Sequence, residues 1–131
     1  MEKDSIIYAK AHAYAIRVVR AYQFLTESKR EFVLSKQLLR CGTSIGANVA
    51  EANGGISKAD FSSKISIAYK ESLETKYWLC LLKDTGYMDE KIFESMHKDA
   101  DELSRMLFST LKSTRINPLK MLSMWFTYLI H

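Results

Sequence analysis

Little in this sequence breaks a helix. One proline, Pro118, and five glycines are spread over 131 residues, too few turn-forming residues for a many-stranded sheet protein. Two cysteines, Cys41 and Cys80, show no CxxC spacing and have no partner histidine. They read as buried thiols in a reducing compartment rather than as a disulfide framework. No stretch of about 18 apolar residues occurs, so nothing is expected to span a membrane. The start, Met1-Glu-Lys-Asp-Ser-Ile-Ile, lacks the apolar run of a signal peptide, and a cytoplasmic location is expected. A Gly-rich phosphate loop, a nucleophile elbow and a useful Cys/His pairing are also missing, so neither catalysis nor a cofactor is expected.

What remains is the material of a helical domain. Hydrophobic residues make up 47% and charged residues 26%, an ordinary globular balance in a chain long enough to bury one core. The formal charge of +4 is unevenly placed. Residues 1–52 carry eight basic and five acidic side chains, whereas residues 87–114 carry four and six. The first half is therefore the part able to attract an anionic polymer.

Apolar spacing divides the chain into four helices and a tail. The first is expected over about 4–26, capped by Asp4 or Ser5, with Ile6, Ala9, Ala13, Ile16, Tyr22 (or the Val19–Gln23 stretch) and Leu25 as its buried stripe. Lys3, Lys10 and Arg17 recur every seven residues with Arg20 a turn further on, forming one basic edge. Residues 27–31 are polar and read as a connection. The second helix, about 32–52, has a core row of Leu34, Leu38, Cys41, Ile45, Val49 and Ala52. Beside it lie a small-residue row, Gly42, Gly46 and Ala50, and a polar row that includes Lys36, Arg40 and Asn48. Two glycines inside a helix each cost about 1 kcal/mol relative to alanine, so close approach of another helix is the expected compensation. A membrane GxxxG reading fails because Lys36 and Arg40 precede the row.

The third helix is expected from Ser57 to about Thr85, with Phe61, Ile65, Ala68, Ser72, Tyr77 (or Leu73), Leu79 and Leu82 inward, and Gly86 as its stop. Asp89 caps the fourth, which runs to about Thr114 with Ile92, Met96, Leu103, Leu107 and Leu111 as its stripe. Short connections between these segments predict an all-α, up-down-up-down antiparallel four-helix bundle over residues 1–114. Residues 115–131, opened by Asn117-Pro118 and apolar almost all round, read as a short docking helix.

Two constellations invite a chemical reading. Glu94-Ser-Met-His97 is a Glu-x-x-His unit, but a di-iron bundle needs two such units and two further carboxylates. The other histidines, His12 and His131, have no glutamate three residues before them, and no metal is expected. Glu71 and Glu74, with Arg40 and Asn48, are placed to form a polar network between the second and third helices. Such buried charge more often sets register than performs chemistry.

The run Val33-Leu-Ser-Lys-Gln-Leu-Leu-Arg-Cys-Gly-Thr-Ser-Ile-Gly-Ala-Asn-Val-Ala-Glu-Ala52, followed by Phe61-Ser-Ser-Lys-Ile-Ser-Ile-Ala-Tyr-Lys-Glu-Ser-Leu-Glu-Thr-Lys-Tyr-Trp-Leu79, resembles the four-helix-bundle family of proteins encoded in intervening sequences of bacterial 23S ribosomal RNA genes. The accessory variability determinant of diversity-generating retroelements looks like a member too. The resemblance implies a left-handed bundle that assembles as a ring-like homopentamer; the residues whose spacing suits packing or assembly are Gly42, Gly46, Ala50, Asn48, Glu71 and Glu74. A relative of that family works with nucleic acid, and in this chain the basic edge of Lys3, Lys10, Arg17 and Arg20, with Lys36 and Arg40, is the candidate surface for holding RNA or DNA by its backbone once an oligomer repeats it. A protein-interaction scaffold that uses helix faces or the Trp125/Phe126 tail is the alternative, and a small-molecule site in the ring's opening is a weaker one. The tail after Pro118 and the acidic fourth helix depart from the family pattern.

Overall fold

The computed structural model describes residues 2–114, with side chains from residue 6 onward. It consists of four helices, α1 (Glu2–Glu27), α2 (Leu34–Asn53), α3 (Lys58–Asp84) and α4 (Glu90–Thr114). The expected tail helix in 115–131 and the side chain of Lys3 lie outside the described residues. Among the described residues no helix is long and apolar enough to cross a membrane.

Residue pairing across the seams gives the topology. Val18 meets Gly42 and Ala11 meets Gly46 between α1 and α2. Arg40 reaches Glu74 and Lys64 reaches Glu51 between α2 and α3. Ser72 meets Ser104 and Lys76 meets Asp101 between α3 and α4, while Lys10 pairs with Glu102 and Arg17 with Asp99 across α1 and α4. Each neighbouring pair is antiparallel, and the layout is a four-helix bundle.

The ends of the helices have local causes. Ser57 accepts the Asp60 N–H at 3.0 Å to start α3, and Asp89 accepts the Ile92 N–H at 2.8 Å to start α4. Gly86, with φ at 84°, closes α3 in a conformation that costs a side-chain-bearing residue more. The start of α2 is capped differently. The Glu31 carboxylate reaches forward and accepts N–H bonds from Val33 (3.0 Å), Leu34 (2.9 Å) and Ser35 (2.6 Å). Arg30 takes a left-handed φ of 55° to turn the chain there. Glu31 is thus buried inside a segment whose composition predicts only a polar connection.

Leu38, Cys41, Ile45, Val49 and Ala52 are buried as the spacing of α2 predicts, joined by Ile65, Leu79, Leu82, Leu103 and Leu107. Their desolvation is the main source of stability, about 1.5–3 kcal/mol for each large side chain. Helix α1 departs from expectation. Its buried residues are Ile7, Ala11, Tyr14, Val18 and Leu25, whereas Ile6, Ala9, Ala13 and Ile16 face outward. The helix is apolar on most of its circumference, so spacing alone allows either register. The core register is the one that sets Lys10 and Arg17 against the acids of α4. Ile92, Leu73 and Tyr77 are also exposed rather than inward. The expected cap at Asp4 or Ser5 is not where α1 begins, since the helix already starts at Glu2.

The small-residue row resolves into unequal parts. A Cβ on Gly42 would stand 2.7 and 2.8 Å from the Val18 methyls, too close for any real contact. On Gly46 it would lie 3.5 Å from the Ala11 carbonyl oxygen, an ordinary contact, and Ala50 is exposed. Only Gly42 is compelled by space. A polar thread runs through the opposite side of the core: Ser72 and Ser104 share a hydrogen bond of 2.7 Å, and the Thr75 hydroxyl donates to the Cys41 sulfur at 3.3 Å. Burial pushes the Cys41 thiol up to about 11, outweighing the Thr75 hydrogen bond, so it stays protonated and inert.

Candidate nucleic-acid interface

The basic edge of α1 is a seam before it is a surface. Residues seven apart lie on one side of the helix, and the antiparallel α4 brings acids to meet them. The Lys10 ammonium pairs with Glu102, whose hydrogen bond and charge hold the Lys10 pKa above its usual value. The Arg17 guanidinium donates to Asp99 Oδ2 at 2.6 Å and to Ser95 Oγ at 2.9 Å. Arg20 is exposed and forms no ion pair among the described residues. Charge reversal at Lys10 is therefore expected to lower the melting temperature slightly while leaving the salt dependence of any nucleic-acid association unchanged. Both are read by thermal unfolding and by binding across a salt series.

Arg40 is engaged too. Its guanidinium bridges Glu74 and, at 3.3 Å, Glu71 of α3, and the Trp78 indole N–H donates to Glu74 Oε1 at 3.1 Å. The Arg40 hydrogen bond, helped by Trp78, holds the Glu74 carboxyl below its ordinary range. Burial pushes Glu71 the other way, against the pull of Arg40. Two acids set side by side by α3 are thus tied to one cation from α2. Asn48 does not join it. Its side-chain amide donates to the Ser44 carbonyl (2.8 Å) and hydroxyl (2.9 Å) one turn back in its own helix. A short polar side chain satisfied within its own helix has no donor left to reach across the seam.

The surface that sequence reading passed over is the α1–α2 connection. Lys29 and Arg30 are exposed, Phe32 is 53% exposed, and the Arg30 guanidinium lies 5.4 Å from the centre of the Phe32 ring. Lys36 follows on the first turn of α2, exposed and without an ion pair among the described residues. Because Glu31 turns inward as the cap, the acid that breaks this basic run in the sequence is removed from its surface. Two adjacent cations beside an aromatic were the available signal. Cations next to a solvent-facing ring suit phosphate and base-stacking contacts.

The Glu94/His97 pair shows no metal geometry. The His97 ring packs against Phe93, 5.1 Å between centroids. Among the described residues, no three His, Cys, Asp or Glu side chains come together as metal ligands do.

A family profile described as 23S rRNA-intervening sequence protein matches residues 3–109. A crystal structure of a protein of unknown function from the S23 ribosomal protein family, from Bacteroides thetaiotaomicron, superposes with a TM-score of 0.83. The two sequences are 46% identical over 84% of this chain and 98% of that one. No curated protein matches the chain.

Proposed function

The chain belongs to the 23S rRNA-intervening sequence protein family, and on that premise we propose that it is a non-enzymatic, self-associating bundle that holds RNA or DNA by its backbone as an accessory or scaffold. The observation that carries the reading is the Lys29-Arg30-Phe32 turn with Lys36 beside it. The cations are free to meet phosphates, and the ring under Arg30 offers a stacking face to an unpaired base. Base-edge readout has no counterpart in this arrangement, so binding is sequence-tolerant and falls steeply with salt.

Self-association is the second half of the proposal. Ile6 and Ile16 are 46% and 44% exposed, and with Ala9, Ala13 and Val19 they form an outward apolar face on a helix that already buries its other side. Exposed apolar side chains that adjoin on one helix face mark an interaction surface. A homopentamer, as the family resemblance implies, would repeat the basic turn five times and multiply a formal charge of +4 by five.

Fluorescence anisotropy with labelled single-stranded RNA and duplex DNA tests the nucleic-acid half. The Arg30→Glu/Lys36→Glu double variant is expected to bind about tenfold more weakly and to flatten the salt slope by roughly two ions, at about 0.9 per lost phosphate contact. Absence of any association at low salt would end this reading in favour of a protein-interaction scaffold. That alternative draws its support from Leu73 and Tyr77, exposed one turn apart on α3. Light scattering reports assembly, and a monomer mass across concentrations would overturn it.

A further inference from the structure

The seam between α1 and α4 is tied along its middle and parts at one end. The Tyr14 hydroxyl donates to the Met96 carbonyl at 3.1 Å, and the Lys10 and Arg17 ion pairs hold the helices on that side. Toward the end of α1 and the start of α4, a cleft of about 450 Å3 lies between them. Its inner side is apolar and buried, built from Leu25, Met88 and Met96, and the half-buried Ala21 also lines it. Phe24 and Ile92 stand at the rim, both more than two-fifths exposed.

Three cations, Arg17, Arg20 and Lys29, and one acid line this cleft. Arg17 is held in place by Asp99 and Ser95, while Arg20 and Lys29 form no ion pair among the described residues. The acid that lines it, Asp89, has one carboxylate oxygen committed to the Ile92 N–H as the cap of α4. The positive end of the α4 dipole opens on the same side.

We propose that this cleft binds a small amphipathic anion, with an apolar body against Leu25, Met88 and Met96 and a single carboxylate or phosphate head between Arg20 and Lys29. Ligand sites of about 300–1,000 Å3, mostly apolar with a few convergent polar groups, are the usual form of a small-molecule pocket. The cleft has room for a two-ring aromatic or a medium-length acyl chain. Among the described lining residues a cationic head would have Asp89 alone to meet, against three cations. Occupancy would bridge α1 and α4 beyond the Arg17–Asp99 pair, and so raise thermal stability by linkage.

The test is a fluorescence titration of the full chain with anilinonaphthalene sulfonate as the probe. One saturable site per chain is expected, displaced by decanoate and by 1-naphthyl phosphate but not by decyltrimethylammonium. Whichever of the two anions displaces at the lower concentration identifies the preferred head, acyl carboxylate or aryl phosphate. Arg20→Glu changes an exposed side chain with no ion pair among the described residues and is expected to weaken binding at least tenfold. Ala21→Trp fills the cleft and should abolish the signal while helix content and melting temperature are retained. Should that variant misfold, Lys29→Glu replaces it, with a loss similar to that of Arg20→Glu expected. Arg30→Glu, which impairs the nucleic-acid surface, should leave the probe's affinity unchanged. No saturable binding, displacement by the cation, or wild-type affinity in Arg20→Glu would overturn the site.

Discussion

Gly42→Ala is expected to destabilise the bundle by about 1–3 kcal/mol, the usual range for overpacking, while Gly46→Ala one turn later is neutral or stabilises by up to about 1 kcal/mol. Both substitutions improve helix propensity equally, so the difference isolates tertiary contact. The new methyl at Gly42 would meet the Val18 methyls at 2.7 and 2.8 Å. Val18 is fully buried and, being β-branched in a helix, has one comfortable rotamer, so it has no room to turn away. At Gly46 the nearest atom is 3.5 Å off. Adding Val18→Ala to Gly42→Ala should recover part of the loss. Urea unfolding at constant m-value measures all four proteins, and equal effects at the two glycines would refute the close approach.

Glu31→Gln is expected to cost about 2 kcal/mol at neutral pH, because three backbone N–H groups lose a charged acceptor in a buried setting. Burial alone would raise the Glu31 pKa, but the bonds from Leu34, Ser35 and Val33 outweigh it and hold the carboxyl below the usual 4.5. A folded-state pKa below the unfolded one contributes stability that is complete above about pH 5 and is lost as pH falls through the folded value. The gap between wild type and variant should therefore narrow in acid. Asp101, depressed by the hydrogen bond from Lys76, and Glu74, depressed by that from Arg40, weaken both proteins over the same window and cancel in the comparison. A gap that stays constant from pH 7 to 3 would show that Glu31 acts only through its shape.

Much of the architecture was legible in the residues. Few helix breakers, caps at Ser57 and Asp89, the stop at Gly86 and the 3–4 spacing of α2 and α4 are local signals, since each depends on residues within a turn of one another. The motif across α2 and α3 was specific enough to identify the family. The Arg40–Glu71–Glu74 cluster could be anticipated because complementary charges on neighbouring antiparallel helices tend to meet.

Partnership across helices was not legible. Helix α1 carries two apolar stripes, and the one that turns inward is the one whose Ala11 and Val18 fit against Gly46 and Gly42, with Lys10 and Arg17 meeting Glu102 and Asp99 at its edge. Burial likewise made Glu31 a cap and uncovered the Lys29-Arg30-Phe32 turn. The sequence by itself determined four helices, the caps of α3 and α4 and the family, because spacing and capping act within a few residues. The tertiary structure decided which face of α1 is core, which glycine is indispensable and which cations are ion-paired among the described residues, because those depend on atoms brought together from distant parts of the chain.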